Sequence, residues 1–376
     1  MRREQSRYIF SSEITRRHQR TRKRRAAVLL VLVGLVVSFF LANFLISRHV
    51  VLQEVKITML DLPNSLEKFS ILHLSDLHGA RYGEKQKAIE NALSDTRYSC
   101  VVMTGDMLGE NQDVEPLLEL IDRLSPDIPI YYLPGDSDGD FIDDTAHSDL
   151  SVYTGWAQRL MEAGVQILDR PIALTREDAT VWFVPEDMYT MDLDVMEWNY
   201  KQQLKSLEAR MTSLTADDAA RKRALEQYYL ERIQAIRASI GEFKTGDIQI
   251  VVTHKPLEKE YVEQILSWTE KVEDDYMSQT YSKAEKEKVF SMRYTRLVLA
   301  GHYNGGQWRI PFVGALYVPE KGWLPDDSEI QGLNYLRETP QYISPGLGSA
   351  PQYTWQPGRL FNSPVITRII LTRYDQ

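Results

Sequence analysis

Thiol chemistry is almost missing from this chain. Cys100 is its one cysteine in 376 residues, which excludes intramolecular disulfides and any thiolate metal site built on paired cysteines. Set in the apolar run Cys100-Val-Val-Met103, it reads as an inert buried thiol. Internal repeats and long low-complexity tracts are absent as well. Positive charge is scarce over most of the length: residues 49–376 carry 33 Lys and Arg against 51 Asp and Glu, a net of −18. So acidic a body argues against a nucleic-acid partner, whose phosphates it would repel. Acidic side chains that face a cleft instead collect cations.

The missing positive charge is concentrated at the start. Residues 1–48 hold 11 Lys and Arg against Glu4 and Glu13, a net of +9, and the cluster from Arg16 to Arg25 directly precedes 21 residues without a charge, 26–46. At 1.5 Å per residue such a helix spans the roughly 30 Å hydrocarbon core of a bilayer. The segment therefore reads as a single transmembrane helix. A cleaved signal peptide is the alternative, but the run exceeds the usual signal length and no clear A-x-A site follows it. Basic residues before the helix place the N-terminus in the cytoplasm by the positive-inside rule. The expected organisation is a basic cytoplasmic arm at 1–25, a membrane helix at 26–46 and an extracytoplasmic domain at 50–376 of a single-pass cell-membrane protein. The arm needs no role beyond orientation and contact with anionic headgroups. His18 and His49 flank the membrane segment.

The domain is long enough for one large α/β unit with insertions. Strands are expected at 50–60, 68–76, 100–104, 130–133, 180–184, 248–253, 297–300 and 365–372, with helices at 84–93 and 114–124 between the early ones. This β-α-β-α-β order points to a layered α/β fold. Two charged helical stretches interrupt it, at about 190–245, with a break near 213–216, and at 257–290. They read as solvated scaffold insertions, or alternatively as a lid or an arm for a protein partner.

Five of the apolar strands end in polar clusters: Asp76 with His78, Asp106, Asp136 with Ser137 and Asp138, His254, and His302 with Asn304. Turn chemistry favours Gly, Pro, Asn and Asp, but it does not call for three histidines. Convergent carboxylates and imidazoles are what a divalent-metal site requires, and the carboxyl ends of strands are where open α/β sheets place their chemistry. His73, inside the first of these strands, and His147, in an acidic loop, read as structural. Trp308, Trp323 and Trp355 read mainly as core, with a cleft wall as the alternative.

In order and strand context these clusters resemble the blocks of the calcineurin-like metallophosphoesterases, D-x-H, G-D, G-N-H-[DE], H and G-H-x-H. Here they read Asp76-Leu77-His78, Gly105-Asp106, Gly135-Asp136-Ser137-Asp138, His254 and Gly301-His302-Tyr303-Asn304. The chain is most similar to a membrane-anchored bacterial subgroup, also through Gly301-His-Tyr-Asn-Gly-Gly-Gln307, Arg309-Ile-Pro311, Gly314-Ala-Leu-Tyr317, Ser344-Pro-Gly-Leu-Gly348 and Arg359-Leu-Phe-Asn362. The resemblance implies a four-layer α/β sandwich, two mixed sheets flanked by helices. It also implies two divalent ions sharing a hydroxide that attacks a phosphoester. By position, Asp76, His78 and Asn304 would hold one ion, Asp106 would bridge, and Asp136, His254 and His302 would hold the other.

Three positions depart from the family. Asp136 replaces an Asn ligand and Asn304 a His ligand, which shifts the donor set towards oxygen. That favours Mn²⁺, with Mg²⁺, Ca²⁺, Fe or Zn²⁺ as alternatives. Ser137 stands where the family has an acid-base His, and a hydroxyl cannot carry the positive charge of an imidazolium; Asp138 is the expected substitute acid. The expected function is a phosphodiesterase or phosphatase acting outside the membrane, on lipid or cell-envelope phosphoesters. The alternative is a pseudoenzyme that keeps the fold and acts as a binding or scaffold protein.

Overall fold

The computed structural model describes residues 2–143, 151–210, 215–244, 246–272, 292–350 and 358–374. Two compact units result, divided after Arg48. The first is one helix, α1 (Arg2–Arg48), so the expected basic arm and apolar segment form one continuous element. Its stretch from Thr21 to Arg48 is long and apolar enough to cross a membrane.

The second unit opens with β1 (Val51–Met59), β2 (Ser70–Leu74), β3 (Cys100–Met103), β4 (Ile130–Tyr132) and β5 (Val165–Ile167). It continues through β6 (Ile172–Arg176), β7 (Ala179–Pro185), β8 (Ile248–Val252) and β9 (Thr295–Ala300). Two small hairpins follow, β10 (Arg309–Ile310) with β11 (Gly314–Ala315) and β12 (Tyr317–Val318) with β13 (Gly322–Trp323). The last strands are β14 (Gly332–Leu336), β15 (Thr339–Ile343) and β16 (Val365–Arg373). They build two six-stranded sheets, in the orders β1-β16-β2-β3-β4-β5 and β14-β15-β9-β8-β7-β6. Both sheets are mixed: β2, β3, β4 and β5 run parallel while β16 opposes β2, and β7, β8, β9 and β15 run parallel while β6 and β14 close the edges antiparallel.

Strand alternation explains the layering. In β2, β3 and β4, Ile71, Cys100, Val102 and Tyr131 face Val181, Phe183, Ile250, Val252, Leu297 and Leu299 of the other sheet in one buried core. Their neighbours Leu72, Leu74, Val101, Met103 and Tyr132 point the opposite way and pack under the helices α2 (Lys87–Leu93), α3 (Glu115–Ile121) and α4 (Gly155–Glu162). Strands covered on both faces lose the apolar-polar alternation and read as continuous apolar runs, which is why β2, β3, β8 and β9 were legible. Cys100 lies in the inter-sheet core, where burial pushes its thiol far up, so it is inert as expected.

On the outer face of the second sheet lie α5 (Leu193–Arg210), α6 (Ala216–Glu242) and α7 (Lys259–Val272). Ile236, Phe243, Val262 and Ile265 pack there against Trp182, Val251 and Val298. The first insertion is the helical hairpin expected, tied by Tyr200 stacked on Tyr229 at 4.5 Å and by Arg237 on Asp194 and Glu197. Its second helix is also anchored to the body, where the Tyr228 hydroxyl donates to Asp169 at 2.6 Å and Arg232 pairs with Asp187. α5 and α6 are therefore outer-layer scaffold. Of the second helical expectation, 257–290, α7 covers 259–272 and residues 273–291 lie outside those described.

One buried cation secures the loops behind the strand ends. Arg359 is 5% exposed and donates to the carbonyls of Pro345, Gly348, Asn362 and Ser363, so it staples the 344–348 loop to the segment before β16. Burial brings its guanidinium down to about 10. Replacing it by Leu strands four carbonyls in the interior, and Arg359→Leu should cost about 3 kcal/mol. A midpoint within one degree of wild type in thermal denaturation would contradict this account.

Candidate metal centre

The candidate residues all lie where strands of the two sheets end side by side. Asp76 and His78 follow β2, Asp106 follows β3 and Asp136 follows β4, all from the first sheet, while His254 follows β8 and His302 follows β9 from the second. Such loops can meet only if nothing projects from the backbone between them. A Cβ on Gly105 would stand 2.6 Å from Gly135 and 2.7 Å from the His254 ring, and one on Gly301 would stand 1.8 Å from the Ser75 hydroxyl. Asp76, His78, Asp106, His302 and Asn304 all adopt positive φ, between 46° and 81°. This left-handed region is sparsely used by non-glycine residues, and least unfavourable for Asn, Asp and His.

Two groups of ligand-type atoms result. Asp76, His78 and Asp106 form one, Asp136, His254 and His302 the other, each with its atoms within 4.8 Å of one another. Asp106 Oδ2 stands between them, 3.7 Å from His78 Nε2 and 3.4 Å from His254 Nε2. The imidazoles are held in set tautomers. His254 Nδ1 donates to the Thr104 carbonyl at 2.7 Å and His302 Nε2 donates to Glu320 at 3.0 Å. Their other nitrogens, His254 Nε2 and His302 Nδ1, lie 3.2 Å apart, and His254 Nε2 also faces Asp106. Beside them the Asn304 side-chain oxygen is buried with no partner among the described residues, while its NH₂ donates to the His302 carbonyl. Two facing imidazole nitrogens, three carboxylates and an unpaired amide oxygen fit one kind of occupant, a divalent cation or a pair of them.

The electrostatics agree. Burial lifts the Asp76 carboxyl to about 6, against the pull of His254 and the Ser75 hydroxyl that donates to it. Burial would also raise Asp106, yet His254 and the Ser137 amide, which donates at 2.8 Å, hold it well below the usual carboxylate range. His254 is opposed by burial but raised to about 9 by Asp106 and Asp76. A strongly raised imidazole among carboxylates marks a pocket that needs positive charge.

Two expectations are corrected. Asp138 is fully buried and faces away from the cleft: its carboxylate accepts the backbone N–H groups of Asp106, Leu108 and Gly135 at 2.7–2.8 Å. Occupied in this way it shapes the loop and is not placed to protonate a leaving group. Trp308 and Trp323 do not fill the core. Trp308 and Trp323, with Tyr303, Leu316 and Tyr317, wall a cleft of about 510 Å³ whose floor includes Asp106, His302 and Asn304; Trp355 lies outside the described residues, as does His147. Ser137 is exposed, its hydroxyl 3.5 Å from His78 Nδ1. His73 is structural, buried against Thr104 and lowered to about 3 by that burial.

The structure adds two residues that sequence reading passed over. Lys255 pairs with Asp136 at 2.8 Å, offsetting the charge introduced there, and Glu320 orients His302. Adjacency to His254 was the only signal for the first. Nothing marked the second, which comes from the β12–β13 turn. None of α5, α6 or α7 lines the cleft among the described residues, so the lid alternative finds no support there.

Because His254 carries a proton below pH about 9 and Asp76 below about 6, an entering cation must displace protons. Affinity for Mn²⁺ should weaken steadily from pH 9 to pH 6. Calorimetry in buffers of different ionisation enthalpy should show proton release at pH 7.5. Uptake without proton release would contradict this arrangement.

The geometry can be set beside known proteins. Among curated proteins none matches this chain. A crystal structure described as phosphopantetheinyl hydrolase (PptH) from Mycobacterium tuberculosis aligns over 74% of this chain and 91% of its own, with 14% identity and a TM-score of 0.34. The family model for calcineurin-like phosphoesterase matches residues 69–303, which run from the start of β2 to the loop after β9 and contain all the candidate ligands but Asn304. On that match, with its two candidate ligand groups sharing one strand-end edge, the chain belongs to the calcineurin-like phosphoesterase family.

Proposed function

We propose that this protein is an active, metal-dependent phosphoester hydrolase, and the observation that carries the reading is the convergence of two ligand groups on Asp106. Asp76, His78 and Asn304 would hold one ion, Asp136, His254 and His302 the other, and Asp106 would serve both. Two divalent cations bound there would supply Lewis acidity and a nucleophile available near neutral pH. The chain's own residues do the rest. Thr104 and Glu320 engage one nitrogen of His254 and of His302 and so leave the other for a cation, as hydrogen-bond partners behind metal ligands commonly do. The Ser137 amide fixes Asp106 from the other side. Lys255 holds Asp136 and places an ammonium at the rim, where it attracts a phosphoryl group.

What the site lacks decides its substrates. Asp138 is engaged with backbone amides and Ser137 cannot donate as an imidazolium does, so departure of a poor leaving group is unassisted. Loss of a general acid typically costs about 10²–10⁴-fold. The favoured esters are phosphodiesters or monoesters with good leaving groups, and Mn²⁺ suits the oxygen-rich donor set.

An activated aryl phosphodiester should therefore be hydrolysed in Mn²⁺. Asp106→Asn should abolish turnover, and Ser137→His should raise kcat about tenfold or more on esters with poor leaving groups, with little change on activated ones. No bound metal and no turnover in any divalent ion would favour a pseudoenzyme with a binding role.

We also assign the main domain to the outer side of the cell membrane, with α1 uncleaved. The support is the row of basic residues before the apolar stretch of α1. A reporter active only in the cytoplasm, fused after Gln376, should be silent; activity would reverse the topology.

A further inference from the structure

The two small hairpins beyond the metal centre carry an unusual surface. At the tip of β10–β11, Phe312 is wholly exposed and Val313 and Ile310 flank it; on β12–β13, Trp323 is 72% exposed, with Leu324 and Tyr317 beside it. The hairpins are neighbours, joined by the Leu316 amide on the Trp308 carbonyl and the Leu324 amide on the Leu316 carbonyl. This apolar surface continues directly into the cleft, since Trp308, Leu316, Tyr317 and Trp323 also line it. Contiguous exposed aromatic and aliphatic side chains mark a docking surface, and Trp, Tyr and Phe with aliphatic neighbours are the set that partitions into the interfacial zone of a bilayer.

The chain's own connectivity names the occupant. Only His49 and Val50 separate the last residue of α1 from β1, a reach of about 7 Å when extended. The start of β1 also stands close to the metal centre. The Val51 amide donates to the Pro364 carbonyl and Val51 pairs with Val365; Val365 donates to the Gly346 carbonyl; a Cβ on Gly346 would lie 3.0 Å from Asp76. On the other side, Gln53 of β1 and Arg309 at the base of the first hairpin line one small cleft. The point where the chain would leave a membrane, the metal centre and the apolar hairpins thus belong to one edge of the domain.

We propose that this edge rests on the lipid surface, with Phe312, Val313, Trp323 and Leu324 entering the interfacial zone, so that the substrate is a phosphoester whose phosphate lies at the bilayer surface. The inference rests on the hydrolase reading and on an uncleaved α1. Water adds to phosphorus, the P–O bond to the alcohol breaks, and the alcohol leaves with a proton from that water. The apolar walls of the cleft take the part of the ester nearest the acyl chains, and the ligand groups on its floor take the phosphate.

The test uses the full chain in proteoliposomes of phosphatidylethanolamine and phosphatidylglycerol. Cys100 is buried and will not compete for label, so Phe312→Cys can carry a fluorophore, with Asp178→Cys, in the turn between β6 and β7 at the opposite end of the second sheet, as control. Quenching by doxyl-labelled lipid should be at least about fivefold stronger at position 312 than at 178. Equal quenching would overturn the proposal, as would protection of position 312 that grows with protein-to-lipid ratio and ignores the lipid quencher, which would assign the surface to a second copy of this chain. In activity, Phe312→Glu with Val313→Glu should leave turnover of a soluble aryl phosphodiester unchanged and lower turnover of a lipid-anchored aryl phosphodiester in the same vesicles at least about tenfold; an equal fall on both substrates would also overturn it. Failure of the hydrolase reading shows separately, as no turnover of the soluble ester in any divalent ion, while the quenching still decides where the edge lies.

Discussion

The metal centre depends on one carboxylate that joins the two sheets. Asp76 ends β2 in the first sheet, and its two oxygens accept the His302 amide, at the end of β9 in the second, at 3.1 Å each. Its own carbonyl accepts from Gly348, so the 344–348 loop, and through Arg359 the segment before β16, are drawn to the same point. A fully buried carboxylate is costly unless hydrogen-bonded and matched by positive charge. Asp76 has the hydrogen bonds from Ser75 and His302, and the positive charge is what the ligand groups around it are built to recruit. Sheet alignment and cation binding are therefore one constraint at this position.

Much of this was legible because it is written in local pattern. Doubly covered strands such as β2, β3, β8 and β9 announce themselves as apolar runs, and each stops at a residue with metal-binding chemistry, so the four-layer fold and the edge that carries the site could be read together. The helical hairpin of α5 and α6 was legible from its composition and from the sequence signal for a break near 213–216, where the Thr215 side chain accepts the Asp218 amide at the start of α6. The short strands β5 and β6 and the antiparallel pair β14 and β15 were not, because strands of three to five residues with mixed polarity carry too little periodicity.

The errors have one cause. Asp138 and the tryptophans were judged by residue type, and their roles follow from direction. A carboxylate in a Gly-Asp-Ser-Asp turn can face the cleft or fold back on the amides behind it, and only the position of the Asp106, Leu108 and Gly135 N–H groups decides. Trp323 is apolar but sits on a two-residue strand with no second layer over it. Glu320 reaches His302 across 18 residues of loop and hairpin, a pairing that no spacing rule encodes.

The positive-φ turns have a bearing on how such a site can change over time. The loop shapes at Asp76, His78, Asp106, His302 and Asn304 are imposed from behind, by close glycine contacts, by Arg359 and by the amides gathered on Asp138, and not by whatever the ligand atoms hold. Donor identity is thereby uncoupled from backbone form. Asn is among the residues that tolerate a left-handed backbone best, so an amide at 304 places no added strain on its turn, and a carboxylate at 136 is balanced locally by Lys255. An edge organised in this manner can exchange one ligand for another, and with it one metal preference for another, while the mould that positions them stays unchanged.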